Sequence, residues 1–208
     1  MKRCVIVGGV KINNYEFIRR KLRADDFVVF CDSGLRHMEG LGVMPSLIVG
    51  DFDSYENPQL DVETIVLPRE KDDTDTFFAA KEAVKRGYDD FLLIGVTGER
   101  IDHTMGNISI LMYLESFGKR GIIIDDYSEI SLLSKASGVV SIGDEYSFFS
   151  LIAVEGSAKG VTIKGAKYPL DNAEILPEYQ YGVSNEVVSG EEAVVSVEEG
   201  KLLLVKVF

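Results

Sequence analysis

Positively charged residues are scarce in this 208-residue sequence. Its 22 lysines and arginines are outnumbered by 34 aspartates and glutamates, which gives a formal net charge of −12. Binding to the nucleic-acid backbone needs clustered Lys and Arg, so we expect no nucleic-acid partner. Such a charge instead suits a cationic substrate or a site that holds metal ions.

Cysteine and long apolar runs are also scarce. Cys4 and Cys31 are the only cysteines, each inside an apolar, strand-like run, so we expect buried thiols in a reducing compartment rather than a disulfide or zinc framework. No stretch approaches the roughly 18 apolar residues of a transmembrane helix, and the run at residues 4–7 is too short for a signal peptide. These absences predict a cytoplasmic protein with no membrane partner.

The usual nucleotide-binding signatures are missing as well. Neither Gly-x-x-x-x-Gly-Lys-Ser/Thr nor Gly-x-Gly-x-x-Gly occurs in the sequence. The only histidines are His37 and His103, and no Ser/His/Asp arrangement stands out. Phosphate chemistry in this chain would therefore depend on carboxylates with a metal ion and on a few cationic side chains.

Short β-branched runs alternate with helical patterns in the first part of the chain. Strands are predicted at residues 3–7, 27–31, 47–49, 64–67, 91–94 and 122–125, and helices at 15–22, 35–41, 73–86 and 103–116. The third helix has Asp73 or Thr74 as its N-cap and Gly87 as its stop. This alternation predicts a mostly parallel sheet with helices on both faces, in which ligands bind beyond the carboxyl ends of the strands.

From about Tyr127 the pattern changes to short β-rich runs without a helical period. The runs are residues 130–133, 146–154, 160–164, 193–197 and 202–207. Glu198-Glu199-Gly200 is predicted to join the last two runs as a hairpin turn. We therefore predict an N-terminal α/β domain at residues 1–128 and a C-terminal antiparallel β-sandwich at residues 129–208.

Two acidic clusters lie at the ends of predicted elements. Asp51 and Asp53 follow the strand at 47–49, and in an extended segment residues i and i+2 point to the same side, so both carboxylates can face one cation. The second cluster, Lys71-Asp72-Asp73-Thr74-Asp75, lies at the start of a helix. Clustered carboxylates favour a hard divalent cation, above all Mg²⁺ that carries phosphates. A solvated acidic loop is the alternative for either cluster taken alone.

The motif Gly95-x-x-Gly98-x-Arg100-x-Asp102-His103 supplies the positive charge that the acidic clusters lack. Its two glycines let backbone amides approach an anion, the following helix N-terminus favours negative charge, and Arg100 can hold phosphate oxygens in a bidentate manner. Asp102 is placed to cap the helix or to bind a metal or a substrate hydroxyl. A capped strand-to-helix turn is the alternative, and His103 is either structural or part of the site.

Three further polar segments are ambiguous from their residues alone. Asp32-Ser33-Gly34 follows a predicted strand and is either a nucleotide contact or a turn with an N-cap. Lys71 either neutralises a phosphate or pairs with Asp72. Ser184-Asn185-Glu186 reads only as a polar turn in the β domain.

In their order and rough spacing, these motifs resemble those of the bacterial thiamine pyrophosphokinases, and with Asn107 they span residues 32–186. The resemblance implies an α/β domain that binds ATP and Mg²⁺ and a β domain that binds thiamine. It also implies a homodimer that transfers pyrophosphate from ATP to thiamine, giving thiamine diphosphate and AMP. This chain departs from the family at Asp32-Ser33-Gly34, where Asp-Gly-Gly is common, and at Glu99, where a small residue is common.

The resemblance and the residue chemistry together give the motif residues expected roles. We expect Asp51, Asp53 and Asp75 as metal ligands, Asp53, Asp75, Arg100 and Asp102 as catalytic residues, and Ser184, Asn185 and Asp72 as thiamine-binding residues. The expected nucleotide-binding residues are Asp32, Ser33, Gly34, Lys71, Asp72, Thr74, Gly95, Gly98, Arg100 and His103. Asp102 or Asp72 is the expected late proton acceptor, and Tyr179 or Tyr181 is an aromatic ring that can stack on the cationic thiazolium.

Two other functions remain open from the sequence. One is a pyrophosphokinase for another hydroxymethyl heterocycle, such as a pterin. The other is a non-catalytic nucleotide or Mg²⁺ sensor. Ser184-Asn185-Glu186 favours thiamine over a pterin, and the presence of every acidic ligand of the motifs favours an enzyme over a sensor.

Overall fold

The structure is a computed structural model, and it describes residues 1–52, 58–70 and 72–208. The chain forms two compact units, residues 1–126 and residues 127–208. The first is a mostly parallel sheet with helices, and the second is built from antiparallel strands, which confirms the predicted fold class. No helix in the described part of the chain is long and apolar enough to cross a membrane.

Six parallel strands form the sheet in the described part of the first unit. They are β1 (Arg3–Val7), β2 (Phe27–Cys31), β3 (Leu47–Gly50), β4 (Thr64–Val66), β5 (Asp90–Ile94) and β6 (Arg120–Ile124). They lie in the order β4-β3-β2-β1-β5-β6, and every pairing among them is parallel. Consecutive residues Cys4 to Val7 are all fully buried. Since neighbouring side chains of a strand point to opposite faces, both faces of β1 are covered.

Among the described residues, four α-helices accompany these strands. They are α1 (Tyr15–Arg19), α2 (Met38–Leu41), α3 (Asp75–Lys85) and α4 (Ile101–Ser116), and a 3₁₀ helix (Asp32–His37) precedes α2. The Thr74 side chain caps α3 by accepting a hydrogen bond from the Phe77 N–H at 3.3 Å, as one of the two predicted caps. Helix α1 is shorter than predicted, because the amides of Lys21 and Leu22 bond to carbonyls three residues back and the chain turns toward β2.

The strand order places a switch point between β1 and β5. From β1 the chain builds the sheet outward through β2, β3 and β4 on one side, and later through β5 and β6 on the other. Loops that leave neighbouring strands in opposite directions open a crevice at the carboxyl edge of a parallel sheet. The predicted site motifs after β2, β3 and β5 lie at this edge.

Seven strands form two antiparallel sheets in the second unit. They are β7 (Ser128–Ser134), β8 (Val140–Gly143), β9 (Phe148–Ala153), β10 (Ala158–Lys164), β11 (Leu170–Ile175), β12 (Glu192–Ser196) and β13 (Lys201–Val207). One sheet has the order β7-β13-β9 and the other β11-β10-β12-β8. Phe149 and Leu204 of the first sheet share one buried cluster with Val161 and Ala193 of the second, so the predicted sandwich is confirmed.

The predicted hairpin at Glu198-Glu199-Gly200 is wrong. Strand β12 pairs with β10 and β8, whereas β13 pairs with β7 and β9, so the turn carries the chain from one sheet to the other. Strands β8 and β11 were not predicted. Their sequences, Val-Ser-Ile-Gly and Leu-Asp-Asn-Ala-Glu-Ile, are short or polar, and neither contains an apolar run.

Candidate active site

One cavity of about 470 Å³ opens at the carboxyl edge of the parallel sheet. The predicted site residues that line it are Asp32, Ser33, Asp51, Asp72, Thr74, Asp75, Gly95, Arg100 and His103. Gly34, Gly98 and Asp102 are not among its lining residues, and Asp53 and Lys71 lie outside the described residues. The sequence motifs after β2, β3 and β5 and at the start of α3 therefore converge on one site.

Several lining residues were not predicted. Gly8, Gly9 and Val10 follow β1 and form one wall, and Arg69 adds an exposed cation just before the second acidic cluster. The sequence could have indicated the glycine pair after β1 as part of the site, because a strand that ends in two glycines at a sheet edge is suited to close contact with a ligand. Nothing in the sequence indicated Arg69 as a site residue, since a single arginine in a loop is usually solvated.

The Asp32-Ser33-Gly34 segment is held tightly against the end of β1. Asp32 begins the 3₁₀ helix with a positive φ of 40° and is buried. A side chain at Gly34 would place its Cβ only 2.2 Å from the carbonyl oxygen of Val7. Such close backbone approach requires glycine, so Gly34 contributes to the site by packing and by placing Asp32 and Ser33 at the cavity wall.

The first acidic cluster differs in geometry from its prediction. Asp51 follows β3 and lines the cavity, but Phe52 has a φ of 55°, which is left-handed and not extended. The extended backbone that was assumed between Asp51 and Asp53 is therefore not present at Phe52. Asp53 itself lies outside the described residues, so its role as a ligand stays a prediction.

The second acidic cluster forms the entrance to α3. Thr74 is the N-cap, Asp75 is the first helical residue, and both line the cavity. The Asp73 carboxylate pairs with the ammonium of Lys81, eight residues further along the chain in α3. Asp75 is therefore the cluster's carboxylate that sits directly at a helix N-terminus within the cavity wall.

The carboxylates of the cavity fit a Mg²⁺ ion that arrives with phosphate. In the described part of the chain, no three or more His, Cys, Asp or Glu side chains are arranged to hold a metal by themselves. Mg²⁺ typically uses one or two carboxylates, several waters and substrate phosphates rather than a complete protein cage. Asp51 and Asp75 supply oxygen donors of that type to one cavity.

The glycine turn after β5 is shaped by backbone packing. Gly95 has a φ of 63°, and a Cβ there would lie 2.6 Å from the carbonyl oxygen of Gly8. The Gly98 amide donates to the Thr104 hydroxyl at 3.0 Å. The same hydroxyl contacts the carbonyl oxygens of Gly98 at 3.1 Å and Arg100 at 3.2 Å. The Gly98 amide is therefore already bonded to Thr104 in α4, and the role of Gly98 in nucleotide binding stays a prediction.

Arg100 and Asp102 form an exposed ion pair at the start of α4. The Arg100 Nε and Nη2 atoms lie 3.2 and 2.5 Å from the two Asp102 carboxylate oxygens. Hydrogen bonding to Arg100 lowers the pKa of Asp102 to about 2. Arg100 is the N-cap of α4 without a side-chain cap, so Asp102 does not cap the helix as predicted. The pair instead holds a guanidinium at the cavity rim.

Asn107 joins three parts of the cavity. It is buried on the inner side of α4, where its Nδ2 donates to the Val96 carbonyl at 2.8 Å. Its Oδ1 accepts from the Thr76 hydroxyl at 2.6 Å. Thr76 lies in the first turn of α3 and Val96 in the glycine turn, so one side chain ties both elements to α4.

Of the thiamine residues predicted in the second unit, Asn185 and Tyr181 line a separate cavity of about 470 Å³ together with Tyr168. Ser184 is not among its lining residues, and Tyr179 lines a different cavity of about 590 Å³ with Tyr181. Buried Asn185 accepts from the amides of Tyr168 at 3.0 Å and Glu186 at 2.9 Å, and donates to the Tyr168 carbonyl at 2.8 Å. Ser184 has a φ of 60°. The Asn185 carboxamide thus shapes the wall, while Tyr179 and Tyr181 are exposed, as ligand stacking requires.

Comparisons with known proteins agree with this arrangement. The family model "Thiamin pyrophosphokinase, catalytic domain" matches residues 18–123, and the model "Thiamin pyrophosphokinase, vitamin B1 binding domain" matches residues 139–202. A thiamine pyrophosphokinase of Bacillus subtilis (strain 168) is 27% identical over 181 residues, which covers 84% of each chain.

Solved structures show the same fold. The crystal structure of thiamine pyrophosphokinase from Bacillus subtilis matches with a TM-score of 0.85 at 24% identity, covering 99% of both chains. That of thiamin pyrophosphokinase from Geobacillus thermodenitrificans matches with a TM-score of 0.81 at 27% identity, covering 99% of this chain and 97% of the other. Because the two family models match both compact units in order, the chain belongs to the thiamin pyrophosphokinase family.

Proposed function

We propose that this chain transfers the pyrophosphoryl group of ATP to the hydroxyl of thiamine, with Mg²⁺, and releases thiamine diphosphate and AMP. Family membership gives the enzyme class, and one structural observation supports the assignment of the metal and phosphate site. Carboxylates at Asp51 and Asp75 line the same cavity as the Arg100 guanidinium, at the switch point of a parallel sheet. Opposite charges in one crevice suit a metal-bound polyphosphate.

Residues of the α/β unit, which we assign to positions 1–128, hold the nucleotide. Asp51 and Asp75 provide oxygen ligands for the ion, with Asp53 as a further candidate. Bound Mg²⁺ would neutralise phosphate charge and orient the transferring group. Ser33 and His103 line the cavity and are positioned to hydrogen-bond to phosphate or ribose oxygens, whereas Thr74 lines it as the N-cap of α3.

Arg100 and Arg69 bring positive charge to the rim of the same cavity. A guanidinium gives two parallel donors to phosphate oxygens, and such donors act most strongly where negative charge develops during transfer. Arg100 is already oriented by Asp102 through two contacts. The guanidinium therefore needs little reorganisation when phosphate arrives.

Proton removal from the thiamine hydroxyl is not assigned to Asp102. With a pKa of about 2, its carboxylate binds a proton poorly near neutral pH, whereas an efficient general base has a pKa near the working pH. Asp72, the other expected acceptor, lines the cavity as an exposed carboxylate and is the candidate that remains. Phosphoryl-type transfer needs positioning and charge neutralisation more than it needs a strong base.

The β unit, which we assign to positions 129–208, binds thiamine. Exposed Tyr179 and Tyr181 offer aromatic faces to a cationic thiazolium, and the net charge of −12 favours a cation. Asn185 lines a cavity with Tyr181, and Ser184 directly precedes Asn185 in the chain. We also propose a cytoplasmic homodimer. Two buried free cysteines suit a reducing compartment, and Phe148 and Ile152 leave apolar surface on β9 that a second copy can cover.

Product analysis tests this proposal. The protein is incubated with ATP, Mg²⁺ and thiamine, and AMP, ADP and thiamine diphosphate are separated by chromatography. We expect AMP and thiamine diphosphate in equal amounts. AMP formation only when a hydroxymethylpterin replaces thiamine would instead indicate the pterin enzyme, and nucleotide binding without turnover on either acceptor would indicate a sensor.

A substitution tests the metal assignment. Asp75→Asn keeps the shape of the side chain and removes its charge, so we expect kcat to fall by at least about 100-fold, as for loss of a transition-state electrostatic contact. Asp61→Asn is the matched control, because Asp61 is exposed and is not among the residues that line the cavity. Equal loss in both variants would remove the special role of Asp75.

A further inference from the structure

Asn107 occupies a position on α4 where an apolar side chain would be expected. The buried residues of this helix are Asn107, Ile110, Leu111 and Leu114, which lie on one face at helical spacing. A buried carboxamide is unfavourable unless its donors and acceptors are satisfied. Asn107 meets this need through Val96 and Thr76, both of which line the cavity with it.

The hydrogen bonds around Asn107 run in one direction. Its Nδ2 donates to the Val96 carbonyl, so its Oδ1 is the acceptor for the Thr76 hydroxyl. Thr76 uses its only proton in that bond, and therefore the Thr74 hydroxyl donates in the 3.2 Å contact between the two threonines. Thr74 in turn accepts from the Phe77 amide at 3.3 Å. The N-cap of α3 is thus connected to the glycine turn through one chain of bonds.

This chain of bonds links two ends of the proposed site. Asp75, which lies between Thr74 and Thr76, is the proposed metal ligand on α3. Val96 lies in the turn that leads to Arg100 at the rim. A metal ligand and a phosphate-binding group must keep a fixed spacing, because displacement by about 1 Å can lower the rate about 100-fold.

We propose that Thr76 and Asn107 are positioning residues that set the spacing between Asp75 and the glycine turn, and so determine how strongly Mg²⁺ couples to nucleotide binding. The proposal rests on the nucleotide-binding part of the proposed function. Neither residue is assigned a bond to the ion. Their effect passes through the first turn of α3, in the way that outer hydrogen-bond partners orient metal ligands.

Thr76→Val tests the proposal, because it removes the hydroxyl and keeps the branched shape. Thr76→Ser is the matched control, since it keeps the hydroxyl. The full chain is titrated with α,β-methylene-ATP, whose bridging carbon blocks cleavage, by calorimetry with saturating Mg²⁺ and again with EDTA. AMP formation from ATP and thiamine is measured in parallel, and thermal unfolding is followed for each protein.

We expect Thr76→Val to weaken analogue binding in Mg²⁺ by about tenfold or more, as for other outer partners of metal ligands. Binding in EDTA should change by less than about twofold, and Thr76→Ser should stay within about twofold of the parent in both conditions. The KM for thiamine should not change. A merely structural threonine would lower the unfolding temperature and leave the ratio of the two affinities unchanged.

Equal coupling of Mg²⁺ to the analogue in Thr76→Val and the parent overturns the proposal, whatever the stability of the variant. Loss of coupling in both variants also overturns it, because the hydroxyl would then not be the cause. If Thr76→Val fails to fold, Thr76→Ala supplies the same comparison with a smaller side chain. Failure of the parent to make AMP from thiamine would reject the proposed function alone, since analogue binding needs no acceptor.

Discussion

Gly34→Ala is the substitution for which the structure gives the most specific expectation. The new Cβ would lie 2.2 Å from the Val7 carbonyl oxygen, 3.0 Å from its carbonyl carbon and 3.2 Å from the Gly8 carbonyl carbon. Real Cβ atoms essentially never come closer than 3.0 Å to such neighbours, so one of the two backbone segments must move by about 0.8 Å, the difference between 3.0 and 2.2 Å. Backbone in a sheet yields less readily than a flexible side chain.

The stability effect of this substitution follows from the overlap. Forcing extra atoms into a packed site typically costs about 1–3 kcal/mol. Gly34 has no positive φ, so the penalty comes from crowding alone and not from backbone conformation. We expect the urea unfolding midpoint to fall accordingly. Circular dichroism is a suitable probe because the chain has no tryptophan.

The expected effect of Gly34→Ala on activity follows from the position of Gly34 in the 3₁₀ helix at the cavity wall. Moving the 3₁₀ helix also moves Asp32 and Ser33 at the cavity wall. A displacement near 1 Å in a binding site can cost about 100-fold, so we expect kcat/KM for ATP to fall by between about tenfold and 100-fold. The KM for thiamine should change much less, because its proposed residues other than Asp72 lie in the other unit.

Gly106→Ala is the matched control for Gly34→Ala. Gly106 lies in α4, and nothing lies within 4 Å of the Cβ that alanine would add. Replacing glycine by alanine inside a helix stabilises it by roughly 0.5–1 kcal/mol, so this variant should be slightly more stable and equally active. Parent-like stability and ATP kinetics in Gly34→Ala would refute the reasoning from close packing.

Three further predictions concern charged groups. Asp26→Ala should lower the free energy of unfolding by about 3–5 kcal/mol, measured in urea, because Arg3 is then left buried without its carboxylate. Burial lowers the pKa of His37, so the unfolded chain takes up the proton before the folded chain as pH falls, and this destabilises the fold. His37→Gln should therefore lose less free energy of unfolding than the parent between about pH 7.5 and 5.5. Asp102→Asn should lower kcat by less than about 100-fold without moving the acid limb of the kcat–pH profile, since Asp102 orients Arg100 and does not titrate there.

Each of these predictions has a contradicting result. Glu16→Ala is the control for Asp26→Ala, because the Glu16–Arg20 pair is exposed and should contribute under about 1 kcal/mol. Similar losses in both variants would contradict the distinction by burial. If the free energy of unfolding of His37→Gln depends on pH as steeply as that of the parent, the dependence must come from other titrating groups. A shifted acid limb in Asp102→Asn would restore Asp102 as a candidate base.

The sequence predicted the elements of the fold better than their connections. Strands β1, β2 and β5 were found from apolar runs because both of their faces are buried. The predicted hairpin at Glu198-Glu199-Gly200 was wrong because alternation of apolar and polar residues indicates a strand but not the strand with which it pairs. Pairing depends on contacts between distant residues, and these decided that β12 and β13 belong to different sheets.

The candidate site shows the same division. Motifs at strand ends and at the start of a helix indicated that Asp51, Asp75 and Arg100 converge, since the carboxyl ends of parallel strands share one edge. The ion pair of Arg100 with Asp102 and the bond from Gly98 to Thr104 could not be predicted from spacing, because several partners are within reach at a helix start. Such choices depend on side-chain geometry and not on residue order.

The central claim is that pyrophosphate moves as one unit from ATP to thiamine. Its most direct test follows ATP labelled separately at the β- and γ-phosphorus through a reaction with Mg²⁺ and thiamine. We predict that both labels appear equally in thiamine diphosphate and that the AMP carries neither. Transfer of the γ-label alone, with formation of ADP and thiamine monophosphate, would contradict the account.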